Sequence, residues 1–216
     1  MNNMIMKNNI IRYLYILVLL VFGAFPSSCG TEVDDSIHSS TSEDGKMTFR
    51  SWNKGVGGSN PTYGVTCEYL TTDGKRITED FCAREGDPAW VHRVHSIRKK
   101  DGSTYYITKR SYRVASDEIF MWMEAFMIDH DTLRSVSVFD GGDDLDECGL
   151  EIHFHILDSK ETELDRLFEY DVISRNLYVP GTSYIGDEAS PVLNNRYRVY
   201  HFDGIGFVYK REIERL

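Results

Sequence analysis

Short alternating runs broken by turn dipeptides constrain this chain most. Val91–Lys99 and Thr104–Arg110 flank Asp101-Gly102, and Tyr197–Phe202 and Phe207–Arg211 flank Asp203-Gly204. Asp-Gly favours the two-residue hairpin turn whose twist matches its flanking strands. Met47–Trp52 alternates, and Tyr63–Leu70 ends at Asp73-Gly74. Phe168–Val172 and Leu177–Pro180 flank Ser174–Asn176. Leu150, Ile152, Phe154 and Ile156 share one strand face, with Glu151, His153 and His155 on the other. Ile119–Ile128 holds helix-favouring Met, Glu and Ala behind a capping Ser116–Glu118. The strand Leu133–Phe139 follows after a short turn, so 119–128 is expected to be a strand buried on both faces, with helix as the competing reading. Hairpins without crossover helices predict an antiparallel sheet. Runs apolar on both faces predict a mainly β sandwich or barrel-like domain. Short helices are expected over 78–85 and 159–167, where capping residues precede apolar ones. Gly55–Gly64 and Gly181–Asn195 are expected to be loops.

The first 29 residues constrain location. Lys7 and Arg12 precede the apolar run Tyr13–Phe25, which is followed by Pro26, Ser27, Ser28 and Cys29. A helix over that run is ~20 Å long, short of a ~30 Å bilayer core. An export signal fits better than a permanent span. The segment resembles a bacterial lipoprotein signal, in which a cysteine after small residues is acylated and becomes the mature N-terminus. That resemblance makes Cys29 the lipidation site. Ordinary cleavage near Ala24 or Ser28, giving a soluble periplasmic product, is the other reading. Residues 29–46 are small, polar and mostly acidic, so a flexible tether is expected. Acids just after a lipidated cysteine resemble a surface-export signal of some gram-negative gut bacteria. The expected division is a signal peptide over 1–28, the tether over 29–46, and one β-rich domain over 47–216.

Residues 1–28 hold two of the 24 basic residues and none of the 34 acidic ones, so the remainder carries −12. Nucleic acid is excluded as a partner on that charge, since phosphates need a basic footprint. The expected partners are a membrane, through the lipid anchor, and an envelope protein or glycan. With Cys29 acylated, Cys67, Cys82 and Cys148 remain, which permits one bridge at most. Cys67 and Cys82 are the expected pair, because Asp73-Gly74 lies nearly midway between them. Two unlinked buried thiols are the alternative.

His153 and His155 face the same way along a strand, ~6.5 Å apart. They could share a zinc ion given a third ligand. Pairing of Leu133–Phe139 with Leu150–Leu157 would set them opposite Ser135 and Ser137, poor ligands, so the bland reading is a polar sheet face and no cofactor is expected. The acids Asp140, Asp143, Asp144, Asp146 and Glu147 offer oxygens for calcium but match no EF-hand spacing. There is no Gly-x-Ser-x-Gly elbow. Cys148 sits among acids, which raise a thiol's pKa and oppose nucleophilic use. A glycosidase carboxylate pair stays open.

Tyr105-Tyr106-Ile107, Glu124–Ile128, Leu177–Pro180 and Arg196–Gly204 resemble a pattern in uncharacterised exported lipoproteins of gram-negative gut bacteria. The resemblance spans roughly 90–211. It implies an exported, β-rich lipoprotein of the outer membrane or cell surface, and it implies no chemistry. The expected function is a lipid-anchored envelope binding or assembly module rather than an enzyme. Tyr63 and Tyr184, on the two expected loops, are candidate contact residues. The alternative is an exported hydrolase acting on glycans through a carboxylate or histidine–metal site.

Overall fold

Asp44-Gly45, Asp73-Gly74, Asp101-Gly102 and Asp203-Gly204 each turn one strand back onto the next. The computed structural model describes residues 37–55, 62–81, 89–113, 118–139, 145–146, 149–155, 164, 167–184 and 191–215. In all four pairs the glycine takes a positive φ, between 69° and 99°, which costs a residue without a Cβ little. The aspartates secure the turns. Asp101 accepts from the amide of Ser103 at 2.9 Å and from its hydroxyl at 2.6 Å, and Asp203 accepts from the amides of Ile205 and Gly206 at 2.8 and 3.1 Å.

Four strands form an antiparallel meander: β1 His38–Thr41, β2 Met47–Asn53, β3 Tyr63–Leu70 and β4 Arg76–Asp80. Ten more form the second sheet: β5 Trp90–Arg98, β6 Thr104–Arg113, β7 Glu118–Asp129, β8 Thr132–Val136, β9 Leu145–Asp146, β10 Gly149–His155, β11 Glu169–Asp171, β12 Asn176–Ser183, β13 Val192–Phe202 and β14 Phe207–Glu214. Its main path runs β11-β12-β13-β10-β7-β6-β5, with β14 on β13, β8 on β7 and β9 on β10. Its pairings are antiparallel except for the parallel His155–Val192 contact of β10 with β13. This sheet curls into a half-barrel, and the two sheets make a mainly β domain of the sandwich or barrel-like kind expected.

β6 and β7 serve two cores. Ile107, Met121, Met123 and Ala125 point into the curl, with Leu150, Phe154, Leu177, Tyr200 and Phe202. Tyr106 and Phe126 point the other way, against Phe49, Val65, Tyr69 and Phe81 of the meander segment. Phe81 meets Phe126 edge-on at 5.4 Å and Phe49 at 5.1 Å, and such pairs contribute about 0.5–1.5 kcal/mol each beyond area burial. β7 is therefore a strand, as expected. Its second face is sealed at Phe126 and only half-buried at Phe120, Trp122 and Glu124, so burial on both faces is partial.

Two expectations are corrected. Thr78–Asp80 belongs to β4, not to a helix over 78–85. Hydrogen bonding to β3 and the packing of Ile77 outweigh the capping signal of Thr78 and Glu79. Among the described residues there is no α-helix, and residues 82–88 and 156–163 lie outside them. Of the loop expected over 181–195, residues 181–183 belong to β12 and 192–195 to β13, while 185–190 lie outside the described residues.

The tether, too, is shorter than its composition implies, since β1 and its turn belong to the fold. Ser42 is buried and its hydroxyl accepts from the Met47 amide at 3.1 Å. Asp44 accepts from the Tyr106 hydroxyl at 2.9 Å. Glu43 binds His95 Nδ1 at 2.7 Å and accepts from the Ser96 amide at 2.6 Å. Polar residues docked this way bring 37–46 into the domain without an apolar face of their own.

Glu43 yields a pH prediction. Partial burial opposes its ionisation, but the bonds from His95 and the Ser96 amide outweigh burial and hold its carboxyl at about 2, against an ordinary 4.5. A folded value below the unfolded one gives stability that is complete above about pH 4.5 and is lost as the pH falls toward 2. Urea unfolding at pH 5 and pH 3 is expected to show a larger acid loss in the parent than in Glu43→Gln. Equal losses would remove Glu43 from the acid response.

Candidate functional site

The strand registers sort the connections into two ends. Asn53 pairs with Tyr63, Glu118 with His155, His155 with Val192, and Val192 with Ser183. Trp90 lies opposite Ser111 and touches Tyr63. The connections 54–62, 81–89, 114–117 and 184–191, and the chain leaving β10, therefore all depart from one end. The opposite end closes with the tight turns at 42–46, 71–75, 99–103, 130–131, 172–175 and 203–206, which contact one another: the Thr72 amide donates to the His130 carbonyl at 3.3 Å and the Lys100 amide to that of Gly204 at 3.0 Å. Long connections from one end of a rigid sheet pair commonly carry function.

Aromatic and histidine side chains gather at the long-connection rim. Trp90 packs on His38 and, edge-on, on Tyr63, with centroids 5.4 Å away in both cases. His38 Nε2 donates to the His92 carbonyl at 3.1 Å, and His92 Nε2 meets the Ser111 hydroxyl at 2.7 Å. On the outer face of β6, β7 and β10 a ladder continues the rim. Tyr112, Phe120 and His153 lie in register across the three strands. Tyr112 stacks on Phe120 at 5.3 Å, and Phe120 on His153 at 4.3 Å. Trp122 meets Tyr112 edge-on at 5.6 Å. The Arg110 guanidinium sits 4.9 Å from the ring centres of both Trp122 and Phe81. It binds Glu124 at 2.9 Å, whose other oxygen accepts from Ser135 at 2.9 Å. All these rings except Phe81 are half-buried, so the ladder is firmly supported and still reachable from solvent.

The expected site residues fall as follows. Tyr63 is half-buried beneath Trp90, and Tyr184 is 68% exposed just beyond β12. Both belong to the rim, but five interstrand steps separate β5 from β12 along the sheet, ~24 Å at ~4.8 Å per step. They are two stations on a surface and not one contact point. His153 and His155 share a face as expected, yet β8 is not their partner. β8 and β10 occupy successive stretches of the same edge of β7, so Ser135 pairs with Phe126 while His153 faces Phe120 and His155 faces Glu118. His153 Nε2 lies 3.7 Å from a Glu118 oxygen. Among the described residues no three His, Cys, Asp or Glu side chains are placed to hold a metal ion. Cys67 is buried in the meander core opposite Glu79. Cys29, Cys82, Cys148 and the acids at 140–144 lie outside the described residues.

Sequence reasoning missed Trp90, Arg110, Tyr112, Phe120 and Trp122. The spacing of Phe120, Trp122 and Glu124 was a usable signal, because residues two apart on a strand share a face. No protein-family model, curated protein or solved structure matches the chain.

Proposed function

We propose that this chain is a lipid-anchored module of the cell envelope that binds an envelope protein or glycan through its long-connection rim. The observation that carries this reading is the gathering of half-buried aromatic and histidine side chains at that end, opposite an end of tight turns. Aromatic rings offer large contact area at low entropic cost, and neighbouring polar groups fix orientation. The net charge of −12 after residue 28 disfavours nucleic acid. Cys29 precedes β1 in sequence, and β1 starts at His38, beside Trp90. The anchor then holds the module at the outer membrane or cell surface.

The competing reading, an exported hydrolase acting on glycans, has one observation in its favour, the Glu118 carboxylate beside His153. Capture from solubilised envelope fractions separates the two. Tyr184→Ala and Tyr63→Ala are expected to lower capture at least several-fold. Tyr184→Ala should leave the melting temperature unchanged, since that ring is exposed. Capture indifferent to both substitutions removes the rim as the binding surface, and turnover abolished by Glu118→Gln moves the chain to the hydrolase class.

A further inference from the structure

We propose that residues 38–51 act as a guard over an adhesive strand edge, and that without the guard β5 pairs with β5 of a second copy of this chain. β5 ends the main path of the ten-stranded sheet, with β6 on one side and no described strand hydrogen-bonded on the other. Its outward amides are met by side chains. Val91 N–H donates to Ser51 Oγ at 3.1 Å, Val94 N–H to Ser40 Oγ at 3.0 Å, and Ser96 N–H to Glu43 Oε2 at 2.6 Å. The His92 carbonyl accepts from His38 Nε2 at 3.1 Å. Three side-chain oxygens thus occupy the places where a neighbouring strand would present its carbonyls. A row of backbone groups covered in this way cannot template another chain.

The composition of β5 explains why it needs a cover. Its nine residues, Trp90-Val91-His92-Arg93-Val94-His95-Ser96-Ile97-Arg98, include no acid. Two antiparallel copies related by a twofold axis through Val94 would set Val94 against Val94, Arg93 against His95 and His92 against Ser96, with no residue facing a like carboxylate. β14 differs. Beyond the bridge of Phe207 to Phe139 it has no described strand on its outer side, but it carries Lys210, Arg211 and Glu212 in succession. A run of charged side chains along an exposed strand blunts its pairing with another chain. β14 therefore protects itself, whereas β5 relies on the first hairpin. His38, Ser40 and Glu43 are only partly buried or exposed and belong to neither core cluster, so these side chains of the guard can be changed without emptying a core, unlike Met47 and Phe49.

The test is sedimentation of the full chain in detergent over a range of concentrations, parent against Ser40→Ala/Glu43→Ala. The expected result is a monomeric parent and a variant whose sedimenting mass doubles as concentration rises. Adding Ser96→Pro, which deletes one outward amide, should return the variant to monomer. If the double variant fails to fold, Ser40→Ala alone, which leaves Glu43 on His95, is read by the same criteria. A guardless variant that stays monomeric at every concentration overturns the proposal, and so does a dimer that survives Ser96→Pro.

Discussion

Replacing Arg110 with alanine is expected to lower the unfolding free energy by about 3–5 kcal/mol, the range for breaking a largely buried ion pair. The Arg110 and Glu124 side chains are 10% and 19% exposed, so the remaining carboxylate gains little hydration. The guanidinium also fills the gap between Phe81 and Trp122, and alanine withdraws that packing as well. The comparison variant is Arg110→Met with Glu124→Gln. It keeps volume and removes both charges, and it should cost far less, because an apolar or neutral replacement of a buried pair is often close to neutral. Chemical denaturation of the parent and both variants reads this directly. A single-variant loss below about 1 kcal/mol would place the pair among weak surface contacts.

Replacing Cys29 with serine is expected to move the protein from the membrane fraction to the soluble one and to abolish lipid labelling. The effect should be near complete, because the apolar run Tyr13–Phe25 is too short to span. Buried lipid CH₂ groups supply ~0.8 kcal/mol each, and two or more chains hold stably. Membrane retention of Cys29→Ser, with no labelling of the parent, would favour a different attachment.

The fold class was legible because alternation and Asp-Gly turns are local signals. The same dipeptide also closes the turn at 44–45, where the small, acidic residues around it masked the signal. Acidic, small residues at 30–46 resemble a solvated tether, yet Ser40, Glu43 and Asp44 dock through hydrogen bonds to β5 and β6. Such docking leaves no hydrophobic period. Thr78, Glu79 and Asp80 resemble a helix start, and the tertiary edge of β3 decides otherwise. The partner of the histidine face was unreadable for a topological reason. Placing β10 beside β7 requires knowing that β8 takes only Ala125–Asp129 and leaves Glu118–Glu124 open. Tyr63 was found through its loop, while Trp90 and the Tyr112–Phe120–His153 ladder needed the pairing of three strands distant in sequence.

Binding at the rim is tested most directly by hydrogen exchange on the full chain, with and without the envelope component it captures. The expected result is slowed exchange in 62–66, 89–92, 111–113, 118–122 and 149–155, with the turns at 71–75, 99–103 and 203–206 unchanged. Protection confined to those turns, with the rim exchanging as in the unbound protein, would contradict it.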